Sequence, residues 1–454
     1  HRILKPESGR SKLSYKQYGR VYATGNIMEG NERVTKDNWD GGIQVESQHD
    51  TKGYTEQMKA NEPFEMPYVQ IMGAQKAYDF VLEKNPQDDT NHNVIVIADP
   101  QISERNELPD LAKQADDLAE FVAQMDGDYT FGICLGDIVG WDHSIYPEYN
   151  KIMGKAGIDY RYVIGNHDMT NWGRSYETSM KNYGDMYGPA WYSFNVGDVH
   201  YVMLNDNFYV GRDYFYIGYL DERQLSWLEK DLSYVKKGSR VVVSMHIQTT
   251  NDKSDRDAFQ YGIIGDNLCN KPALYAMLEP YKATILSGHS HTADYEQISE
   301  NIFEMNIAGF CGAWWCGEVC IDGAPAGFKI FDFDGDDMKW IYKGCGHPLD
   351  YQMKVYTDNP DYPGQIVANI WDYDPMWKVE YFEDGVKVCD MTRFKAQDPL
   401  AKELYKDPSS LKRTWVYAAP TENMFRAKHS GQAKTLEVRA TDRFGRVYSQ
   451  TISR

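Results

Sequence analysis

Tyr160-Arg161-Tyr162-Val163-Ile164-Gly165-Asn166-His167-Asp168 is an apolar-rich run that halts at a glycine and opens onto an amide, an imidazole and a carboxylate. A short apolar run bounded by Gly reads as a buried strand that hands out a loop at its carboxyl end. Other runs repeat the design. Asn93-Val94-Ile95-Val96-Ile97-Ala98 ends on Asp99-Pro100-Gln101, and Phe131-Gly132-Ile133-Cys134-Leu135 ends on Gly136-Asp137. Arg240-Val241-Val242-Val243-Ser244-Met245 ends on His246, and Ala283-Thr284-Ile285-Leu286 ends on Ser287-Gly288-His289-Ser290-His291. In open sheets ligands occupy the crevice at the strands' carboxyl ends, so these tips are expected to pool their Asp, Asn and His side chains in one place.

Helical patterns alternate with these runs between about residues 92 and 345. Leu111, Ala115, Leu118, Phe121 and Val122 form one face of a helix that Gly127 stops, and Leu225, Trp227, Leu228 and Leu232 mark another. Residues 191–204 read as a hairpin turning at Gly197-Asp198. The order suits an α/β domain with a mixed sheet or two stacked sheets. After Pro348 the helical period disappears. Residues 377–389 alternate around Glu383-Asp384-Gly385, residues 411–418 look extended, and residues 435–452 make two runs around Asp442-Arg443-Phe444-Gly445, which together predict a β-sandwich. Residues 1–88 are polar and predict a small β region with a linker. The expected division is therefore 1–88, 89–347 and 348–454.

A chain of 454 residues exceeds one ordinary core, and 42% hydrophobic with 14% aromatic residues describes a globular protein. No apolar stretch approaches the roughly 18 residues of a membrane helix. The formal charge of -19 argues against a long nucleic acid as partner, because Lys and Arg neutralise the backbone in such complexes. The same surplus of carboxylates repels phosphate unless cations intervene, so an acidic protein that handles phosphate implies metal ions. The seven cysteines are scattered and odd in number, giving no disulfide framework. Because the sequence opens on His1, removal of an upstream segment is expected.

Carboxylate, amide and imidazole together suit divalent cations. A pair of such ions binds a phosphoryl group and activates water, and a nearby non-ligand His supplies a proton. In order, and each after a predicted strand, Asp99-Pro100-Gln101, Gly136-Asp137, Gly165-Asn166-His167-Asp168, His246 and Gly288-His289-Ser290-His291 resemble the five motifs of the calcineurin-like metallophosphoesterases. That resemblance implies a two-sheet α/β sandwich flanked by helices. It also implies one divalent ion held by Asp99, Asp137, His291 and the Gln101 position, and a second held by Asp137, Asn166, His246 and His289, the ions being Mn, Zn, Fe or Mg. A bridging hydroxide would attack a phosphate mono- or diester, His167 would donate the proton, and Asp168 would orient it. With Ile370-Trp371-Asp372-Tyr373-Asp374 and Ala440-Thr441-Asp442-Arg443-Phe444-Gly445, the chain looks like a three-domain group of exported bacterial enzymes with β domains on both flanks. This implies a periplasmic or cell-surface setting.

The sequence departs from the family at Gln101, where His is usual, and at Gly140-Trp141-Asp142, where an acidic residue usually comes sooner. An amide oxygen is a weaker donor than imidazole, so an asymmetric pair with a more labile or harder first ion is expected. Asp142 either replaces the missing acid or caps a turn. Trp314 and Trp315, in the Gly-rich stretch 308–320, either stack on a substrate ring or pack between domains. The many Tyr and Trp residues hint at a small ring-bearing substrate such as a nucleotide or sugar phosphate. Asp332-Phe333-Asp334-Gly335-Asp336-Asp337 lacks calcium-loop spacing and reads as a hairpin turn. The reading from a different class is a non-catalytic binding or surface protein with a degenerate core, supported by Gln101 and opposed by the intact imidazole set.

Overall fold

The computed structural model describes residues 88–125, 127–170, 175–211, 215–250 and 264–454. The expected N-terminal β region falls outside them except for residue 88. The strands that build the first half are β1 (Asn91–Ile97), β2 (Tyr129–Cys134), β3 (Asp159–Tyr162), β4 (Tyr192–Val196), β5 (Val199–Met203), β6 (Asn207–Gly211), β7 (Phe215–Gly218), β8 (Arg240–Ser244), β9 (Lys282–Ser287), β10 (Asp294–Gln297), β11 (Ile302–Asn306), β12 (Gly327–Asp334) and β13 (Asp337–Gly344). They form a five-stranded sheet in the order β13-β12-β1-β2-β3 and a six-stranded sheet in the order β10-β11-β9-β8-β5-β4, with β6 and β7 as a separate hairpin.

The apolar runs are continuous because both faces of these strands are covered. On β1, Val94 and Val96 enter the core between the sheets with Phe131, Ile133, Val242 and Leu286. Their neighbours Ile95 and Ile97 enter a second core beneath the helices with Leu111, Ala115 and Leu118. Strand alternation thus splits one run between two layers, and each buried Val or Ile contributes about 1.5–3 kcal/mol. The predicted helices are α1 (Leu108–Val122) and, further on, Glu222–Leu232, whose first turn is capped by Asp221 accepting from Gln224 N at 2.9 Å. The β4–β5 pair turns at Gly197-Asp198 with Val196 opposite Val199, and the Asp-rich stretch after β12 is the β12–β13 hairpin turn. No helix among the described residues is long and apolar enough to cross a membrane.

The last hundred residues hold two four-stranded antiparallel sheets, β14-β15-β19-β18 and β17-β16-β20-β21. These strands are β14 (Lys354–Tyr356), β15 (Gln365–Asn369), β16 (Lys378–Glu383), β17 (Val386–Asp390), β18 (Thr392–Gln397), β19 (Pro420–Lys428), β20 (Thr435–Thr441) and β21 (Val447–Ser453). They enclose Ile366, Ala368, Val379, Tyr381, Leu436 and Val438. Residues 411–418 are not a strand, and a short helix at Pro399–Leu404 breaks the expected all-β pattern. Their apolar residues serve another purpose: Ala401, Tyr405, Val416 and Ala418 pack on Ala313 and Val319 of the loop before β12.

The two signature stretches of this region meet each other against the first sheet. Arg443 Nε donates to Asp374 Oδ2 at 2.8 Å, and its guanidinium lies 4.7 Å from the Trp340 ring centre. Phe444 meets Trp340 edge-on at 4.9 Å, and buried Lys329 of β12 pairs with Asp372. Replacing Arg443 with Ala leaves the buried Asp374 carboxylate short of a charged donor, and the expected loss is roughly 1.5–3 kcal/mol, read as a lower urea midpoint in equilibrium unfolding.

Candidate metal centre

The loops leaving β1, β2, β3, β8 and β9 are laced to one another by backbone hydrogen bonds. Gln101 N donates to Asp137 O at 2.8 Å, Gly288 N to His246 O at 2.9 Å, and Phe310 N to Ala98 O at 2.6 Å. The approach is tight enough to require glycine: a Cβ on Gly165 would stand 2.1 Å from Asp137 N, and one on Gly288 2.6 Å from Asp99 Oδ2. Eleven non-glycine residues among those described have positive φ, and nine belong to this region: Asp99 (49°), Gln101 (39°), Asp137 (50°), Trp141 (125°), Phe215 (63°), His289 (71°), His291 (54°), Trp314 (51°) and Trp315 (59°). Left-handed conformations cost about 1–3 kcal/mol each and persist where the surroundings over-determine them.

Three imidazoles are aimed by backbone carbonyls. His246 Nδ1 lies 2.8 Å from Leu135 O, His289 Nε2 3.0 Å from Gly265 O, and His291 Nδ1 2.9 Å from Gly312 O. A carbonyl only accepts, so each facing nitrogen carries hydrogen and the opposite one of a neutral ring presents a lone pair, the usual support for a metal-binding imidazole. Those opposite nitrogens converge. His246 Nε2 is 3.1 Å from His289 Nδ1, 3.0 Å from Asn166 Oδ1 and 3.4 Å from Asp137 Oδ2. The ligand atoms of Asp137, His246 and His289 all lie within 4.8 Å of one another.

A second group adjoins the first. His291 Nε2 stands 3.6 Å from Asp99 Oδ1, an atom that is buried without a hydrogen-bond partner. Gln101 Nε2 donates to Asp137 Oδ2 at 3.2 Å, while its buried Oε1 also has no partner. Two acceptors left this way cost about 1–3 kcal/mol each unless something positive engages them. Asp137 is the side chain common to both groups, so the seven donors fit a pair of cations sharing its carboxylate. Its Oδ1 accepts from His167 N at 2.8 Å, which leaves Oδ2 turned toward both groups.

Electrostatics agree with a cation site. Burial raises Asp99 to about 8, with Asp137 adding to it against the opposing pull of His246. Burial would raise Asp137 too, but the His246 and His167 imidazoles outweigh it and lower that carboxyl well below its usual range. Burial pulls His246 down, yet Asp137, Asp99 and Asp206 together raise it to about 10. His289 falls to about 3 and His291 to about 4, chiefly by burial.

His167 sits at the lip of the group, its side chain 24% exposed, with Nε2 4.0 Å from Asp137 Oδ2 and Nδ1 3.4 Å from Gly140 O. Asp168 does not orient that imidazole. Its carboxylate accepts from Gly165 N at 2.9 Å, Ile138 N at 3.1 Å and Tyr146 Oη at 3.1 Å, so it pins the β2 and β3 loops together. Asp142 caps the turn that follows it, accepting from Ser144 N at 3.1 Å, and pairs with Arg105 at its exposed end. Trp314 stacks on His291 at 4.0 Å and packs against the C-terminal segment, while Trp315 Nε1 donates to Pro100 O at 3.0 Å. Both rings are half-buried and touch the centre.

Sequence reasoning passed over Asp206 and Glu304. Asp206 accepts from Ile247 N at 2.8 Å and His246 N at 3.3 Å, and Glu304 accepts from Thr249 N at 2.8 Å and Ser287 Oγ at 2.9 Å. Together they fix the loop carrying His246. Asp206 follows β5 at one more strand tip, Leu204-Asn205-Asp206-Asn207, so the same signal was present there.

A family profile described as "Calcineurin-like phosphoesterase" matches residues 92–293, and one described as "C terminal of Calcineurin-like phosphoesterase" matches residues 304–448. The chain belongs to the calcineurin-like phosphoesterases. A dimetal phosphatase from Danio rerio is similar at 15% identity, over 56% of this chain and 96% of that one, with a TM-score of 0.38. The purple acid phosphatase PPD1 from yellow lupin seeds is similar at 14%, over 61% of this chain and 56% of that one, with a TM-score of 0.41. A 5'-nucleotidase from Candida albicans follows at 13%, over 56% of this chain and 51% of that one, with a TM-score of 0.32. No curated protein matches the chain.

A cation reaching His246 has to displace the proton that a pKa raised to about 10 holds there at neutral pH. Titrating Mn²⁺ into metal-free protein at pH 7, in buffers of different ionisation enthalpy, is expected to show proton release, and affinity that rises with pH.

Proposed function

We propose that the chain hydrolyses a small phosphate mono- or diester with the help of two divalent ions. Asp99, Gln101, Asp137 and His291 would hold one ion, and Asp137, Asn166, His246 and His289 the other. The observation that carries this reading is that Asp99 Oδ1 and Gln101 Oε1 are buried without hydrogen-bond partners beside imidazoles gathered at Asp99 and Asp137, with the partly exposed His167 next to them. When bound, the ions supply Lewis acidity toward phosphoryl oxygens and acidify a water. Carboxylate, amide and imidazole donors without thiolate admit Mn, Zn, Fe or Mg, and the Gln101 amide favours a harder ion in the first position.

The chain's own groups do the rest. His167, held by Gly140 O and facing Asp137, is placed to give a proton to the departing oxygen or to bind a phosphoryl oxygen as charge builds there. Burial lowers its pKa and Asp137 raises it, so the charged form gains when further negative charge enters. Asp168, Asp206 and Glu304 keep the loops in register.

The test is hydrolysis of nitrophenyl phosphate mono- and diesters with Mn²⁺, Mg²⁺ or Zn²⁺. His167→Ala is expected to lower kcat by roughly 10²–10⁴-fold while bound metal stays near the wild-type level, and Asp137→Asn to lose both metal and activity. Wild-type protein inert with every ion would turn the assignment toward a non-catalytic binding role.

A further inference from the structure

Beside the metal-binding groups, aromatic rings run in an unbroken arc between two of the imidazoles. Starting from His167, the Trp141 ring centre is 4.1 Å away, Phe215 lies 5.0 Å from Trp141, Tyr216 lies 5.5 Å from Phe215, and His289 closes the arc 6.2 Å from Tyr216. Two separate elements build it. Trp141 comes from the loop after β2 and Phe215 and Tyr216 from β7, and both Trp141 and Phe215 hold positive φ to take their places.

Trp141 keeps 36% of its surface open to solvent, whereas most large aromatic side chains in the two cores of this half are buried. The indole thus packs on His167 and Phe215 while about a third of its surface faces solvent over the proposed proton donor. An aromatic face offered to solvent at the mouth of a polar centre is the usual means of holding a flat ring. Trp314 and Trp315 meet the centre at other points, His291 and Pro100.

We propose that this arc is the subsite for the leaving group, and that the group it accepts carries an aromatic ring next to the ester oxygen, as in an aryl or benzyl phosphate. The location of the arc gives the class. Its first ring touches His167, so a group that takes its proton from His167 has its nearest atoms on the Trp141 face. The inference rests on the hydrolytic reading for which side of the phosphate departs, but its binding test does not need turnover.

Phenylphosphonate and methylphosphonate, neither with an ester bond to cleave, are titrated into Mn²⁺-loaded full-length protein. Wild-type protein is expected to prefer the phenyl compound by roughly tenfold or more, the scale of one stacked ring. In Trp141→Ala the ratio of the two affinities is expected to collapse toward unity, and in Trp141→Phe to recover most of its value. Phe215→Ala, a second position on the arc, is expected to lower the ratio in part. Equal affinities in wild type, a ratio unchanged in both alanine variants, or no binding of either compound overturns the proposal. Aryl preference without hydrolysis of phenyl phosphate keeps the arc as a ring-binding subsite and overturns both the hydrolytic reading and the leaving-group assignment; hydrolysis without aryl preference overturns the arc and keeps the hydrolytic reading.

Discussion

The constraint on which everything else rests is the burial of acceptor-rich side chains at one point. Asp99 and Asp137 are buried together, the Nε2 atoms of His246 and His291 face them at 3.4 and 3.6 Å, and two of the nearby oxygens lack any hydrogen-bond partner. Left to itself such a group would move apart or admit water. It is held because each side chain is fixed from behind by a group that belongs to the rigid sheet: Leu135 O behind His246, Gly312 O behind His291, the amides of Gly165 and Ile138 on Asp168. Strain concentrated in nine left-handed residues is the local cost, and the two apolar cores on either side of β1 offset it.

Two stacked sheets are well suited to this. The first sheet contributes Asp99, Asp137 and Asn166 from parallel neighbours, and the second contributes His246 and His289 from another parallel pair, so the donors face each other across the seam. Neither sheet alone could enclose a cation.

Much of this was legible in the sequence. Each apolar run that ended on Gly or a polar cluster is a strand, because parallel strands covered on both faces must be apolar throughout and must stop where the loop meets solvent or ligand. The α1 face and the hairpin turns followed from periodicity and from Gly-Asp chemistry. What was hidden depended on tertiary partners. Residues 411–418 alternate like a strand, yet Val416 and Ala418 are spent on docking against Ala313 and Val319. Asp168 beside His167 suggested a proton relay, but adjacency along a chain says little about direction once a one-turn helix rotates the carboxylate toward Gly165 N. The Trp314-Trp315 pair drew attention by composition, while Gly140-Trp141-Asp142 stood out only for its late acid and not for the indole beside His167.

The two groups of donors are supported differently, and this bears on the Gln101 departure. The Asn166, His246 and His289 group is backed by Asp206 and Glu304, residues of the second sheet and its adjoining loops. The Asp99, Gln101 and His291 group leans on the C-terminal region as well. Glu107, just past Gln101, accepts from Ser103 N at 2.7 Å and is clasped by Lys412 and by Arg413 at 2.8 Å. Tyr405 donates to Val319 O in the same loop that carries Trp314 onto His291. The first group thus combines a weaker donor with walls contributed by two regions of the chain. Among the described residues the second group has no contact of this kind with the C-terminal region in its own support, which comes from Asp206 and Glu304.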